Sequence, residues 1–290
     1  MNGRNPFFLC NPSPVCMGTG LVALDIVIDG SNEGKASLWT GGSCGNVLTI
    51  LAYLGWSSYP IANYKEDCAS ETILKDLARW GVNSEYIFRS KNGSTPIVIE
   101  RLWCDKDKST HQFQFICPVC GAHLPRSRPV SLKIVSQIER NMPSARIFYF
   151  DRVSKSSVTL AKQQRMKGAL VIFEPAILSQ EQLFKQSLEI AHIVKYSRSQ
   201  IDISQFKADI PLEIQTLGAK GVRYRSHSSK RSMDEWREMA AFNVSGVVDS
   251  AGAGDWCTAG IIHSMGQNGV EGFMSASEKE LENALLFGEA

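Results

Sequence analysis

The chain has 290 residues, 43% hydrophobic and 21% charged, with 31 Lys and Arg against 29 Asp and Glu. That is enough apolar material for one large domain with its own core, and the balanced charge forms no basic stretch that would select a nucleic acid or an anionic membrane. No segment offers the roughly twenty apolar residues a membrane-spanning helix needs, and Phe7-Phe8-Leu9, interrupted by Asn11, Pro12 and Pro14, is no signal-peptide core, so a cytoplasmic location is expected.

Residues 1–16 read as an N-terminal tail and 17–290 as the folded domain. A β-branched run predicts a first strand over 15–29, 35–40 is a short alternating segment, and 47–56 is helical. A strand at 59–63 precedes a helix over 67–80, where Ile73, Leu74, Leu77 and Trp80 recur at helical spacing behind Asp67 as N-cap. The segments 96–104 and 111–117 alternate polar and apolar residues around the charged turn Asp105-Lys106-Asp107-Lys108, which predicts strands wet on one face. Helices at 132–140, 156–167 and 180–188 then alternate with strands at 145–151, 169–174 and 191–196. Strands at 213–217 and 221–225, an exposed turn at 226–234, and helices at 256–265 and from 278 onward complete the pattern.

This rhythm predicts a doubly wound α/β domain, a mostly parallel sheet with helices on both faces. Residues 30–40 and 90–125 break it and predict either a small β lid that closes over a substrate or an ordinary edge hairpin. The last helix stops at Gly288-Glu289-Ala290 with no strand after it, and the expectation is a fragment lacking a longer domain's last elements.

Chemistry concentrates in Val247-Val248-Asp249-Ser250-Ala251-Gly252-Ala253-Gly254-Asp255, which leads into an apolar helix. Small residues there let the backbone approach a ligand, and the free N–H groups of a first helical turn attract anions. A carboxylate beside a phosphate site needs a reason, and general-base duty toward an alcohol supplies one; otherwise the segment is a tight turn whose Asp255 favours the helix dipole. Near the N-terminus, Gly41-Gly42-Ser43-Cys44-Gly45-Asn46 opens another helix, and the Asn46 amide can both donate to and accept from hydroxyls.

Asp-Ser-Ala-Gly-Ala-Gly-Asp resembles the signature of the ribokinase-like (PfkB) carbohydrate kinases, with Ser250 for the usual Thr, and Gly41–Asn46 resembles their Gly-Gly-x-x-x-Asn element. The resemblance runs from about Met17 to Ala290. It implies a ribokinase-like fold, ATP and Mg2+, and phosphoryl transfer to a hydroxyl of a sugar or sugar-like molecule. Asp255 would be the catalytic base, with Gly252, Ala253 and Gly254 the anion hole. Asp25, at the end of a first strand that opens Gly18-Thr19-Gly20, would bind the acceptor with Gly41, Gly42 and Asn46. Thr216, Gly218 and Gly221 would lie beside the nucleotide, and Asp249 near a monovalent cation. A homodimer joined through the lid is a further implied arrangement. The acceptor reads as a monosaccharide first and a nucleoside second, with a weakened sugar-binding sensor as the alternative outside catalysis. The sensor reading rests on Ser197-Arg198-Ser199-Gln200, which stands where the family usually has Asn-x-x-Glu, since a neutral Gln attracts magnesium-bound water less than a carboxylate does. Glu174-Pro175 stands where Asp-Pro is common.

Eight cysteines without a secretion signal read as thiols or metal ligands, and Cys16, Cys44 and Cys257 as small buried hydrophobes. Cys117-Pro118-Val119-Cys120-Gly121 lies outside the family pattern and has the shape of half a structural Zn2+ site. Its completing ligands would come from His123, Cys104, Cys10 or His111, or from a partner, and the other reading is two surface thiols. A hairpin would put Cys104 and Cys117 at opposite ends of their strands. His192 and His263 read as core histidines, and no Gly-x-x-x-x-Gly-Lys-Ser/Thr loop exists.

Overall fold

The computed structural model describes residues 13–29, 35–105, 108–206, 208–228, 231–244 and 249–290. The tail with Cys10, residues 106–107 of the charged turn, and Val247 and Val248 lie outside the described residues. Strands β1 (Val15–Thr19), β2 (Ala23–Asp29) and β3 (Ala36–Gly41) precede helix α1 (Ser43–Tyr53). Next come β4 (Ser57–Tyr64), α2 (Cys68–Arg79), β5 (Ile87–Arg89) and the hairpin β6 (Ile97–Asp105) and β7 (Lys108–Gln114). Then α3 (Leu132–Ile138), β8 (Ile147–Phe150), α4 (Lys155–Met166), β9 (Leu170–Phe173), α5 (Glu181–Ile190) and β10 (Ile193–Ser197) alternate. After them run β11 (Leu212–Thr216), β12 (Val222–Ser228), β13 (Arg231–Met239), α6 (Ala253–Met265), α7 (Gly269–Ser275) and α8 (Glu278–Glu289).

Nine strands form the main sheet in the order β13-β12-β11-β10-β9-β8-β1-β4-β5. It is parallel from β5 to β11, and β12 and β13 extend it antiparallel. Strand alternation divides the core in two. Met17, Phe148, Phe150, Val171 and Phe173 point to one face and pack on Val135, Ile138, Leu160 and Phe184 of α3, α4 and α5. Cys16, Ile147, Tyr149, Leu170 and Ile172 point to the other and pack with residues of α1, α2, α6 and α8. Phe150 and Phe173 stack with ring centroids 4.6 Å apart. Helix α2 begins where its sequence says: the Asp67 carboxylate accepts from Ser70 N–H at 2.9 Å in a capping box, an arrangement worth about 1 kcal/mol.

A second, four-stranded sheet, in the order β3-β2-β6-β7, is the lid. The single strand expected over 15–29 is two strands in two sheets. Between them the chain turns at Gly20, where a Cβ would sit 1.5 Å from Asp151 Oδ1, and Leu21 N–H donates to that same oxygen at 2.9 Å. Buried Asp151, just past the end of β8, thus holds the crossing from main sheet to lid. Asp25 consequently belongs to the lid sheet and does not end the first strand. The turn expected over 226–234 is instead largely strand, because β12 runs to Ser228 and β13 starts at Arg231. The β6–β7 register pairs Cys104 with Ser109 and Ile99 with Gln114, so Cys117 follows the end of the hairpin away from Cys104. Among the described residues no helix is long and apolar enough to cross a membrane.

Candidate active site

Helix α6 begins at a backbone conformation that favours glycine: Gly252, its N-cap, has φ 76°. A Cβ there would meet open space, so the constraint at Gly252 is conformational rather than steric. The first turn of α6 then carries Asp255, half-buried, into a cleft of about 720 Å³ between lid and main sheet. Asp25, Gly42, Asn46, Asp249, Gly252, Gly254 and Asp255 all line this cleft. Residues more than 200 positions apart in sequence meet there, since Asn46 Nδ2 donates to Asp255 Oδ2 at 2.7 Å.

Gly41 serves Asp25 rather than the cleft: a Cβ on it would fall 1.7 Å from Asp25 Oδ2. Asp25 Oδ1 is buried without a hydrogen-bond partner among the described residues. Burial, then the charge of Glu100, raise its pKa to about 7. Asp255 is likewise raised to about 7, by burial first and then by Glu174, against the Asn46 hydrogen bond and Lys195. Two carboxylates whose pKa values are both raised to about 7 make this cleft the candidate active site.

Beneath Asp255 lies a buried network that sequence reading passed over. Lys195, 3% exposed at its side chain, sits 2.6 Å from Glu174 Oε1 and donates to the Gly254 carbonyl at 3.0 Å. Glu174 Oε2 accepts from Thr258 Oγ1 at 2.7 Å and from Tyr149 OH at 3.1 Å. The first turn of α6 is thereby tied to β8, β9 and β10. A signal was present, since a lone lysine in the apolar run Ile193-Val194-Lys195-Tyr196 must find a counter-charge if that strand is buried.

Three expected nucleotide residues lie away from these. Thr216 ends β11, and Leu217 N–H donates to the Gly221 carbonyl at 2.7 Å across the short turn. Gly218, at φ 62°, faces open space, while a Cβ on Gly221 would meet the Met239 carbonyl at 2.2 Å, so Gly221 is needed for packing against the end of β13. Gln200 lines the cleft. Ala253 is exposed at the start of α6. Cys117 and Cys120 form a tight turn in which Gly121 N–H donates to the Cys117 carbonyl at 2.9 Å. Backbone N–H groups of Cys120 and Val119 hold the Cys117 thiol below its usual pKa. His123 faces Arg126, 2.9 Å away, and among the described residues no third metal-ligating atom joins the two sulfurs.

A mostly parallel sheet with helices on both faces and a small β lid over the cleft is the ribokinase-like fold. The chain belongs to the pfkB family of carbohydrate kinases, whose pattern matches residues 19–290. It is 23% identical to probable fructokinase-5 of Arabidopsis thaliana, over 96% of this chain and 90% of that protein. Among solved structures it resembles the fructokinase of Xylella fastidiosa with bound ATP, with TM-score 0.72 and 16% identity over 95% of this chain and 89% of the other. It also resembles a fructokinase double mutant of Vibrio cholerae O395 in a fructose, ADP and potassium ion bound form, with TM-score 0.70 and 18% identity over 95% and 90%. The aminoimidazole riboside kinase of Salmonella enterica, complexed with aminoimidazole riboside and an ATP analog, gives TM-score 0.67 and 17% identity over 95% and 91%.

Proposed function

We propose that this chain transfers the γ-phosphoryl group of ATP to a hydroxyl of a monosaccharide, with fructose the first acceptor to test, and that Asp255 is the general base. The observation that carries the reading is the Asp255 carboxylate in the first turn of α6, behind the glycine N-cap and in the same cleft as Asp25 and Asn46. Asp25 and Asn46 hold acceptor hydroxyls, and Asn46 also aims the Asp255 carboxylate. Asp255 takes the hydroxyl proton as the new O–P bond forms and the bond to the leaving ADP oxygen breaks. The N–H groups of Gly252, Ala253 and Gly254 are assigned to the charge on the transferred group, that of Ala253 in exchange for its 3.2 Å bond to the Ser250 carbonyl. Gln200, on the cleft wall, would accept through its amide oxygen from a water of the Mg2+ that would neutralise charge on the ATP phosphates. A monovalent cation beside Asp249 and nucleotide contacts at Thr216 and Gly218 belong to the same proposal.

The cleft walls also carry Trp39, Phe113, Phe115 and Trp256, each more than 40% exposed. Such rings can stack on a base, which favours a nucleoside as second acceptor class.

Two outcomes are expected from steady-state kinetics. Asp25→Ala should raise the acceptor KM roughly 5- to 150-fold, the equivalent of losing about 1–3 kcal/mol of hydrogen bonding, with the ATP KM unchanged; an unchanged acceptor KM removes Asp25 from the acceptor site. The second concerns pH. A base works only when ionised, and both Asp25 and Asp255 are raised to about 7, so kcat/KM should climb with pH through about 7 and level off above it. The logarithmic slope on the acid side should exceed one in the wild type and fall to one in Asp25→Asn. A profile flat from about pH 5.5 to 8 contradicts the assignment of Asp255 as base.

A further inference from the structure

The lid and the loop into α6 meet at a cluster in which Glu100 and His111 have no part in the phosphotransfer chemistry and Asp249 has only the monovalent cation proposed beside it. The β6–β7 register sets Leu102 opposite His111 and Glu100 opposite Phe113. Strand side chains alternate, so Glu100 and His111 fall on one face of the hairpin, the face whose Glu100 and Phe113 line the cleft. Asp249, two residues before Ala251 on the loop into α6, reaches the same place. One ligand atom from each of Glu100, His111 and Asp249 lies within 4.8 Å of the other two, and His111 Nδ1 is 3.7 Å from Asp249 Oδ1.

Geometry alone would leave this as a crowd of polar groups, but Glu100 adds an independent sign. It is 6% exposed, and its Oε1 is buried with no hydrogen-bond partner among the described residues. A buried carboxylate oxygen left without a donor or a counter-ion is strongly unfavourable. Asp249 Oδ1 accepts from Ala251 N–H at 2.8 Å, which fixes that oxygen beside His111 Nδ1 with a lone pair still free for a ligand. An imidazole nitrogen with two carboxylates is a donor set for zinc or manganese rather than for magnesium or calcium, which take oxygen alone.

We propose that Glu100, His111 and Asp249 bind one divalent transition-metal ion, and that the ion pins the lid hairpin to the catalytic loop. Three protein ligands on two separate elements leave coordination positions open toward the cleft. Binding needs neither ATP nor acceptor, so it stands or falls apart from the phosphotransfer reading.

The test is calorimetric titration of Zn2+ into the full chain carrying Cys117→Ser and Cys120→Ser, without nucleotide or acceptor. One equivalent should bind with a Kd on the order of micromolar or tighter. Glu100→Gln, nearly isosteric, and His111→Ala, each added to that background, should weaken binding by more than about tenfold, the loss incurred even when a group merely supporting a ligand is removed. Circular-dichroism melts establish that each variant is folded, and either one suffices. The proposal is overturned by absence of saturable binding in the serine background, which places any metal on the cysteine turn, or by equal affinity in a folded Glu100→Gln or His111→Ala variant.

Discussion

Asp255→Asn is expected to lower turnover of acceptor-dependent phosphoryl transfer by at least about a hundred- to ten-thousand-fold, the usual contribution of general-base catalysis. The amide keeps the size of the carboxylate and can still accept from Asn46 Nδ2, which now lies 2.7 Å from Asp255 Oδ2, but it cannot take a proton from the acceptor. Its stability should move the other way. An acid whose folded pKa of about 7 stands above its unfolded value of about 3.9 binds its proton more tightly when folded. The folded state therefore loses stability as pH rises from about 4 to about 7, and above that the loss is complete. Removing the charge at pH 8 relieves it, so the variant should melt at or above the wild-type temperature. Stability sacrificed for an ionised base is the familiar trade at active sites. A loss of turnover below about tenfold, or a variant that unfolds, makes Asp255 structural instead.

Lys195→Met is expected to have the largest effect on stability. The substitution leaves Glu174 facing Asp255 with no cation between them, and breaking one side of a buried ion pair typically costs about 3–5 kcal/mol. For a chain of this size that corresponds to a Tm lower by roughly 5–8 °C. Lys195 holds the Asp255 pKa down, so the acid limb of the pH profile should move upward in any residual activity. Adding Glu174→Gln should recover part of the stability, because the uncompensated charge goes with it. A Tm within about 2 °C of wild type in Lys195→Met shows that the pair contributes little.

These two residues also show what could be read in advance. Asp255 stood out because its setting is local: glycine N-cap, small residues and acid are contiguous in sequence, as are the elements of Gly41–Asn46. The parallel strands were legible for the same reason, since apolar runs such as Ile147–Phe150 are buried on both faces and need no alternation. Lys195 was not legible as a site residue because its partners, Glu174 and the Gly254 carbonyl, come from two other segments. Pairing of that kind is a property of the sheet order. The break at Gly20 was hidden because β1 and β2 have similar composition, and the turning force, the Asp151 carboxylate, lies 131 residues on. Strand β13 was read in part as turn because Arg231-Ser232-Met233-Asp234-Glu235-Trp236-Arg237 is too charged to look like a strand. It is an edge, where charge guards against pairing with other chains.

The central claim is phosphoryl transfer from ATP to a hydroxyl in this cleft. It is tested most directly by incubating the chain with ATP, Mg2+ and single acceptors, fructose first, then other monosaccharides and nucleosides, with products read by mass spectrometry. The expected result is a phosphomonoester of one acceptor class, formed one for one with ADP, and absent with Asp255→Asn. ADP released at the same rate with and without every acceptor, or no phosphorylated product from any of them while ATP binds, would contradict it.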